Sequence, residues 1–177
     1  GWKAMNTPAP RKPDRKVLLK RLGKVRLLSL DVDGVLTDGG IYYGEDGTRM
    51  HRFNVLDGVG IKRVQAAGVE VAMITAGASE AVRHRARYLG VRYVFIAIKD
   101  KLATLNDLCG GLGIGLDEVV HVGDDLNDLP VLAAVGLPLT VAGAVAEVRR
   151  RALYITKTEG GSGAVREICD MIVAART

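Results

Sequence analysis

The chain has 177 residues, of which 48% are hydrophobic and 25% charged, a composition typical of a soluble protein with one globular domain. No apolar run reaches the about 18 residues of a membrane span. Two cysteines are too few for a disulfide framework, so integral membrane proteins and small disulfide-rich folds are excluded. Without a secretory signal segment, we expect a cytoplasmic protein with reduced thiols. The net charge of +5 raises the question of polyanion binding.

Most of the positive charge lies in the first 24 residues. They contain eight Lys or Arg residues and one Asp, a net charge of +7, which leaves −2 for the rest of the chain. Three of the five prolines also lie here, and no apolar periodicity is visible before Val17, where some helical character begins. We therefore predict a basic, flexible arm over residues 1–24 and a single domain over residues 25–177. A nucleic-acid-binding arm is disfavoured, because no aromatic residues interleave the charges.

Strand and helix patterns alternate beyond this arm. Buried-strand patterns occur, in chain order, at VRLLSLDV, VEVAMIT, VRYVFIAI, EVVHV, LPLTV and LYI. The helical patterns between them end at residues such as Gly68 and Gly90, which are typical of helix ends. The segment IYYGEDGTRMHRF after strand one predicts a β-hairpin that turns near Asp46 and Gly47. This alternation predicts an α/β fold with a doubly wound, mainly parallel, Rossmann-like sheet and a hairpin insertion after strand one.

Polar residues follow four of these strands. Because the carboxyl ends of parallel strands meet at one edge of a sheet, we expect these side chains to converge there. Their carboxylates would repel one another unless a divalent cation lay among them, and ligation by oxygen alone suits Mg²⁺. In chain order the residues are Asp31 and Asp33, then Thr75 and Ala76, then Lys101, and finally Asp124, Asp125 and Asp128.

This set of groups suits phosphoryl transfer. A magnesium ion beside a hydroxyl and an ammonium group makes an electropositive pocket for phosphate. In the D-x-D pair, one carboxylate attacks phosphorus, and the second protonates the leaving alcohol and later activates water. A phospho-acceptor signalling domain is the alternative. It is disfavoured because Asp33 lies two residues from the nucleophile, whereas receiver domains place the acid pair and the phosphorylated Asp after different strands.

Four motifs carry a resemblance to a known family. DVDGVLTDG (31–39), the turn at Thr75, Lys101 in KDK and GDDLND (123–128) resemble the haloacid dehalogenase superfamily. FNVLDGVGI (53–61), KDKLATL and GGSGAVREIC (160–169) are similar to one part of it, the small phosphatases without a large cap domain that act on 3-deoxy-D-manno-octulosonate 8-phosphate. That substrate belongs to lipopolysaccharide synthesis. The likeness extends from about Val25 to the end of the chain.

The resemblance implies a role for each residue. Asp31 would be the nucleophile that forms an aspartyl-phosphate, and Asp33 the general acid and base. Magnesium would be held by the Asp31 carboxylate, the Asp33 backbone carbonyl and Asp124, with support from Asp125 or Asp128. Phosphate would be bound at Thr75, Ala76 and Lys101. The family resemblance also implies a homotetramer with the hairpin, residues 41–53, at the interface, and a small phosphate ester as the substrate.

Two further features have both a structural and a functional interpretation. GGSGAVRE is either a flexible turn before a helix, or a place where the backbone approaches the substrate and Arg166 pairs with a carboxylate. The histidines, His51, His84 and His121, show no metal-binding spacing. We interpret His121 as a packed residue of its strand and His84 as part of a solvated basic face.

Four residues depart from the family pattern. Gly77 and Leu56 stand where Arg is common, and Ile96-Ala97 replaces the familiar Gln-Gly. The residues expected to carry out the chemistry are all present, whereas some of those expected to surround the substrate are not. The alternatives are therefore a related phosphatase of a nonulosonate 9-phosphate or another sugar phosphate, and a non-catalytic oligomerisation domain of the same fold.

Overall fold

Six short parallel strands form the central sheet in the computed structural model, which describes residues 8–177. In chain order they are β1 (Leu27–Leu30), β4 (Glu70–Ile74), β5 (Tyr93–Phe95), β6 (Val119–Val122), β7 (Leu137–Thr140) and β8 (Tyr154–Ile155). Their order across the sheet is β5-β4-β1-β6-β7-β8, and every neighbouring pair is parallel. The predicted doubly wound, Rossmann-like sheet is confirmed.

Seven helices flank the sheet within the described residues. They are α1 (Arg15–Leu22), α2 (Val55–Ala66), α3 (Ala81–Leu89), α4 (Lys101–Leu112), α5 (Leu129–Ala134), α6 (Ala146–Arg151) and α7 (Ala164–Ala175), with short 3₁₀ turns at Leu116–Glu118 and Leu126–Asp128. None of these helices has the length and apolar character needed to cross a bilayer. Some of these helix starts have a side-chain cap encoded in the local sequence: the Asn54 side chain caps α2, and the Asp100 side chain accepts a hydrogen bond from the Ala103 N–H of α4.

The two faces of the sheet carry separate apolar clusters, because successive strand residues point to opposite sides. On one face, Leu28 and Leu30 pack in a cluster with Ile61 of α2 and Ile168 of α7. On the other face, Leu27 packs in a cluster that includes Leu105 of α4 and further residues of α5. With both faces covered, the polar groups of the sheet are exposed mainly at the strand ends.

Helix α1 corrects part of the predicted arm. The Asp14 side chain accepts a hydrogen bond from the Val17 N–H and starts the helix, and Leu18 and Leu22 are buried in the core. The helix packs against α7. Residues 15–22 are therefore not a flexible arm, since two leucines at i, i+4 give this basic segment an apolar stripe. Residues 1–7 of the predicted arm lie outside the described residues.

A small antiparallel hairpin, β2 (Tyr42–Tyr43) and β3 (Arg49–Met50), follows β1 as predicted. Its turn contains Gly47 with φ of 83°, a left-handed conformation that glycine adopts without steric cost. Within residues 8–177 this hairpin is the insertion between β1 and α2, and no larger cap interrupts the chain there.

Candidate active site

The acidic residues converge where the strand order reverses. Strands β1 and β6 are neighbours with Leu30 opposite Val122, so Asp31 and the Gly123-Asp124 turn leave the sheet at the same level. This is the position where doubly wound folds bind their ligands. A cavity of about 440 Å³ opens here. The predicted residues that line it are Asp31, Asp33, Ala76, Asp124 and Asp125.

Lys101 joins two buried carboxylates beneath the cavity. As the first residue of α4, it donates from Nζ to Oδ1 of Asp31 and to Oδ1 of Asp128, each at 2.9 Å. All three side chains are buried. Burial alone would lower the pKa of Lys101, but the two carboxylates outweigh it and raise that pKa above its usual value. Lys101 therefore carries a positive charge in contact with Asp31.

The negative charges of Asp31 and Asp124 are not fully compensated by nearby positive groups. Burial, together with repulsion by Asp128, raises the pKa of Asp31 well above its usual range, although Lys101 opposes this. Burial is also the main cause that raises the pKa of Asp124 to about 6. One oxygen of each of Asp31, Asp124 and Asp128 lies within 4.8 Å of the others. A divalent cation would relieve this repulsion, so the residues present fit a magnesium site.

Both carboxylate oxygens of Asp128 already accept hydrogen bonds from groups of the protein. Its Oδ1 accepts from Lys101 and contacts Nε2 of His121 at 3.0 Å, and its Oδ2 accepts from the backbone N–H of Asp124 at 3.2 Å. Burial acts to raise the pKa of Asp128, but the hydrogen bond from His121 and the charge of Lys101 outweigh it and lower that pKa to about 2. Asp31 and Asp124 are therefore the carboxylates best placed for a cation, and Asp128 holds the lysine.

Two further buried polar side chains, His121 and Ser29, extend the network of contacts that begins at Asp128. His121 and Ser29 are register partners in β6 and β1, and Ser29 Oγ lies 2.9 Å from His121 Nδ1. Both side chains are fully buried. The predicted packing of His121 in its strand is found, but its contact with Asp128 was missed. The available signal was two polar residues in the middle of adjacent buried strands.

Asp33 lines the cavity, and its two carboxylate oxygens have different surroundings. Its side chain is 41% exposed, yet Oδ1 is buried and has no hydrogen-bond partner among residues 8–177. The Nδ1 of His51 lies 3.5 Å from that oxygen. A Cβ at Gly77 would lie 3.1 Å from Oδ2, so the departure at position 77 borders this carboxylate directly. Since Asp33 lines the cavity and its Oδ1 is buried, we infer that Oδ2 is the oxygen available to a ligand.

The turn after β4 is braced by the loop after β5. Thr75 is buried, and its Oγ1 accepts a hydrogen bond from the Gly77 N–H at 3.1 Å. Ala97 donates its N–H to the Gly77 carbonyl at 2.9 Å, and Ile98 donates to the Thr75 carbonyl at 3.0 Å. Ala97 adopts φ of 55°, the one non-glycine residue with positive φ between residues 8 and 177. Ala76 lines the cavity, whereas Thr75 shapes the turn from below.

The glycine-rich segment 160–163 forms another wall. Gly160 lines the cavity, and a Cβ on it would overlap the backbone carbonyl of Gly34. Gly161 donates its N–H to the Val35 carbonyl at 3.2 Å. Gly34 itself has φ of 83° and lies so close to Asp124 that a Cβ would overlap its carboxylate. These glycines allow close packing of this segment against the loop at Gly34, which places Gly160 at the cavity wall.

Arg166, one of the residues predicted to bind substrate, is not among the residues that line the cavity. Its Nε donates to both carboxylate oxygens of Asp170 at 3.0 Å, and its backbone N–H donates to Asp57 at 2.9 Å. The guanidinium Nη1 lies 3.5 Å from the Leu56 carbonyl. The helical i, i+4 spacing to Asp170 explains why the side chain stays on α7 instead of turning toward the ligand.

Comparison with known proteins agrees with this geometry. A family model of haloacid dehalogenase-like hydrolases matches residues 94–168. The 3-deoxy-D-manno-octulosonate 8-phosphate phosphatase KdsC of Escherichia coli strain K12 is 42% identical over 159 residues, 90% of this chain and 85% of that protein. The chain therefore belongs to the haloacid dehalogenase-like hydrolases, in the family of the 3-deoxy-D-manno-octulosonate 8-phosphate phosphatases.

Solved structures agree over nearly the whole domain. The phosphatase of that family from Yersinia pestis superposes with a TM-score of 0.87 at 40% identity, covering 89% of this chain and 85% of that one. The enzyme from Moraxella catarrhalis superposes with a TM-score of 0.89 at 36% identity, covering 92% and 93%. Its crystals contain a magnesium ion, a phosphate ion and the sugar acid KDO.

Proposed function

We propose that the protein is a magnesium-dependent phosphomonoesterase that hydrolyses 3-deoxy-D-manno-octulosonate 8-phosphate through an aspartyl-phosphate on Asp31. Support comes from relatives that share this activity over nine-tenths of the chain. The observation that carries the proposal is the setting of Asp31, a buried carboxylate at the strand reversal that touches Lys101 and lies beside Asp124. KDO is a lipopolysaccharide sugar, so the proposal assigns the protein to lipopolysaccharide synthesis.

In the first half of the reaction, a carboxylate oxygen of Asp31 attacks phosphorus and the bond from phosphorus to the alcohol oxygen breaks. Asp33 gives its proton to that alcohol through the oxygen that faces the cavity. Lys101 neutralises charge on the phosphoryl oxygens and keeps the Asp31 side chain fixed. Asp31, Asp124 and the Asp33 carbonyl would hold Mg²⁺, which supplies further charge neutralisation when bound.

In the second half, Asp33 acts as the base. It removes a proton from a water molecule whose oxygen attacks phosphorus, the bond to Asp31 breaks, and inorganic phosphate leaves. Asp128 holds Lys101 in place throughout, with Asp125 at the rim of the cavity. We place the phosphate beside Lys101 and the turn at Thr75 and Ala76. The cavity of about 440 Å³ has the size expected for a small sugar phosphate.

The test is release of inorganic phosphate from a panel of sugar-acid phosphates with Mg²⁺ present and with Mg²⁺ chelated. We expect hydrolysis that depends on magnesium and is fastest with 3-deoxy-D-manno-octulosonate 8-phosphate. Preference for a nonulosonate 9-phosphate would reassign the substrate but keep the chemistry. No hydrolysis of any ester would support a non-catalytic oligomerisation domain instead.

We also propose a homotetramer with the hairpin, residues 41–53, at its interface. Tyr42, Tyr43 and Met50 are each more than half exposed in the single chain, and together they form an apolar surface on a two-stranded sheet too small to be stable alone. Tyr43→Asp should lower the mass measured by light scattering. Val17→Asp, at an exposed apolar position on α1, is the control and should leave the mass unchanged. A monomeric unmodified protein would refute this arrangement.

We place the protein in the cytoplasm. Cys109 and Cys169 are both buried and unpaired, which suits a reducing compartment. Fractionation of the native host would test this location.

A further inference from the structure

His51 is a buried histidine that the reaction above does not use. It follows β3 at the base of the hairpin, and its side chain is only 3% exposed. Neither of its ring nitrogens has a hydrogen-bond partner within the described part of the chain. A buried polar group without a partner costs about 1–3 kcal/mol, so such a group in a native fold calls for an explanation.

The explanation lies across a short gap. Nδ1 of His51 lies 3.5 Å from Oδ1 of Asp33, and that oxygen is itself buried and without a partner. The two unsatisfied atoms face each other. A movement of about half an ångström would bring them to the usual length of an N–H···O hydrogen bond. Catalytic hydrogen bonds are often long in ligand-free structures and shorten when substrate binds.

We propose that His51 is a positioning residue for Asp33. It donates its Nδ1 proton to the buried Oδ1, which fixes the carboxyl group and leaves Oδ2 directed at the leaving oxygen of the substrate. The inference deepens the proposed function and rests on Asp33 acting as the general acid. It also gives the base of the hairpin a part in catalysis that is separate from any role in assembly.

The competing interpretation is that His51 only fills space beside Phe53, whose ring centroid lies 6.4 Å away. The two interpretations differ in how the loss of His51 depends on the leaving group. An alkyl phosphate needs a proton on its departing oxygen, whereas p-nitrophenolate departs without one. Loss of packing would slow the hydrolysis of both esters equally, but loss of a well-placed general acid would slow only that of the alkyl ester.

The experiment compares kcat/KM for the sugar phosphate and for p-nitrophenyl phosphate, because kcat/KM reports the steps up to departure of the alcohol. His51→Leu keeps the volume without the donor, and His51→Asn keeps an N–H donor close to the position of Nδ1. We expect His51→Leu to lower kcat/KM for the sugar phosphate by about 10–100-fold and for p-nitrophenyl phosphate by less than about threefold. His51→Asn should recover most of the loss.

His84→Leu, at an exposed position of α3, is the control and should change neither value. Equal losses with both esters, or no loss with either, in a folded His51→Leu protein would overturn the role of His51 while the proposed function stands. Failure of His51→Asn to recover activity with the sugar phosphate would also overturn it. An unmodified protein that hydrolyses neither ester would refute the proposed function, and the positioning role with it.

Discussion

The ammonium nitrogen of Lys101 lies 2.9 Å from the Oδ1 of Asp31, and both side chains are buried. A buried cation against the attacking carboxylate does two things at once. It offsets part of the cost of burying the negative charge, and it marks the place where a phosphate would find positive charge. Asp128 holds the same nitrogen at the same distance, so the position of the lysine is fixed by a second carboxylate as well as by Asp31.

Asp31→Asn should abolish turnover and leave the fold intact. The amide is a poor nucleophile and cannot form the aspartyl-phosphate, so kcat should fall by at least about 10³-fold. The change takes one anion from Lys101, but it also removes a negative charge that burial and Asp128 disfavour, so the two effects offset each other and the melting temperature should change little. Phosphate release and thermal unfolding measure the two effects. Full activity in this variant would rule out Asp31 as the nucleophile.

Asp128→Asn should destabilise the protein, in contrast to Asp125→Asn. Removing the Asp128 charge leaves Lys101 buried without one of its two anions and weakens the contact with His121, a loss of about 3 kcal/mol in unfolding free energy. Asp125 is exposed, and its Oδ1 only accepts a hydrogen bond from the Leu126 N–H, a role that Asn can fill. Urea unfolding should show a change of less than about 0.5 kcal/mol for that control. Similar losses in both variants would contradict the structural role of Asp128.

Magnesium affinity should fall as the pH drops through 6. The pKa of Asp124 is raised to about 6 in the metal-free protein, mainly by burial, so below that pH the ion must displace a proton. Between pH 7 and pH 5 the affinity should fall about tenfold from this group alone, as measured by calorimetric titration. The sign for stability is opposite: the metal-free fold holds this proton more tightly than the unfolded chain, so it gains stability over the same interval. Affinity that is constant from pH 7 to pH 5 would exclude Asp124 as a ligand.

Ala97→Gly should stabilise the protein, although glycine usually destabilises it. Ala97 adopts φ of 55°, where a Cβ costs about 1 kcal/mol, and the added freedom of glycine in the unfolded chain offsets part of that gain. The net increase should be about 0.5 kcal/mol, or a rise of 1–2 °C in melting temperature by differential scanning calorimetry. Ala103→Gly, in the exposed part of α4, should instead lose about 1 kcal/mol. A loss of stability in both variants would mean that the loop accommodates Ala97 without strain.

The sequence was informative wherever chain geometry follows directly from periodicity. Buried apolar runs predicted every strand of the sheet, and the placement of Asp31 and Asp124 followed from the rule that parallel strands end at one edge. The glycines of segment 160–163 were predicted either to form a flexible turn or to approach the substrate, and their packing against Gly34 was not foreseen.

Side-chain pairing across long separations was not predictable in the same way. Nothing local indicates that His51 reaches Asp33 or that Arg166 turns to Asp170 instead of the cavity. The packing of helix α1 into the core was missed for a related reason: charge dominates its composition, and only its burial against α7 shows that Leu18 and Leu22 are core residues. Such contacts depend on the assembled fold, so a single sequence contains only weak signals for them.

The contact of Gly160 with the Gly34 carbonyl has a consequence for how the protein is made. The loop that carries Asp31 and Asp33 leaves the ribosome well before residues 160–163, the segment that forms another wall of the cavity. Until that segment docks, no part of the protein closes the cavity on that side of the acidic loop. Chains that have not yet reached this segment would therefore hold the reactive carboxylates without a finished cavity, and phosphatase activity would arise only once residues 160–163 have docked against that loop.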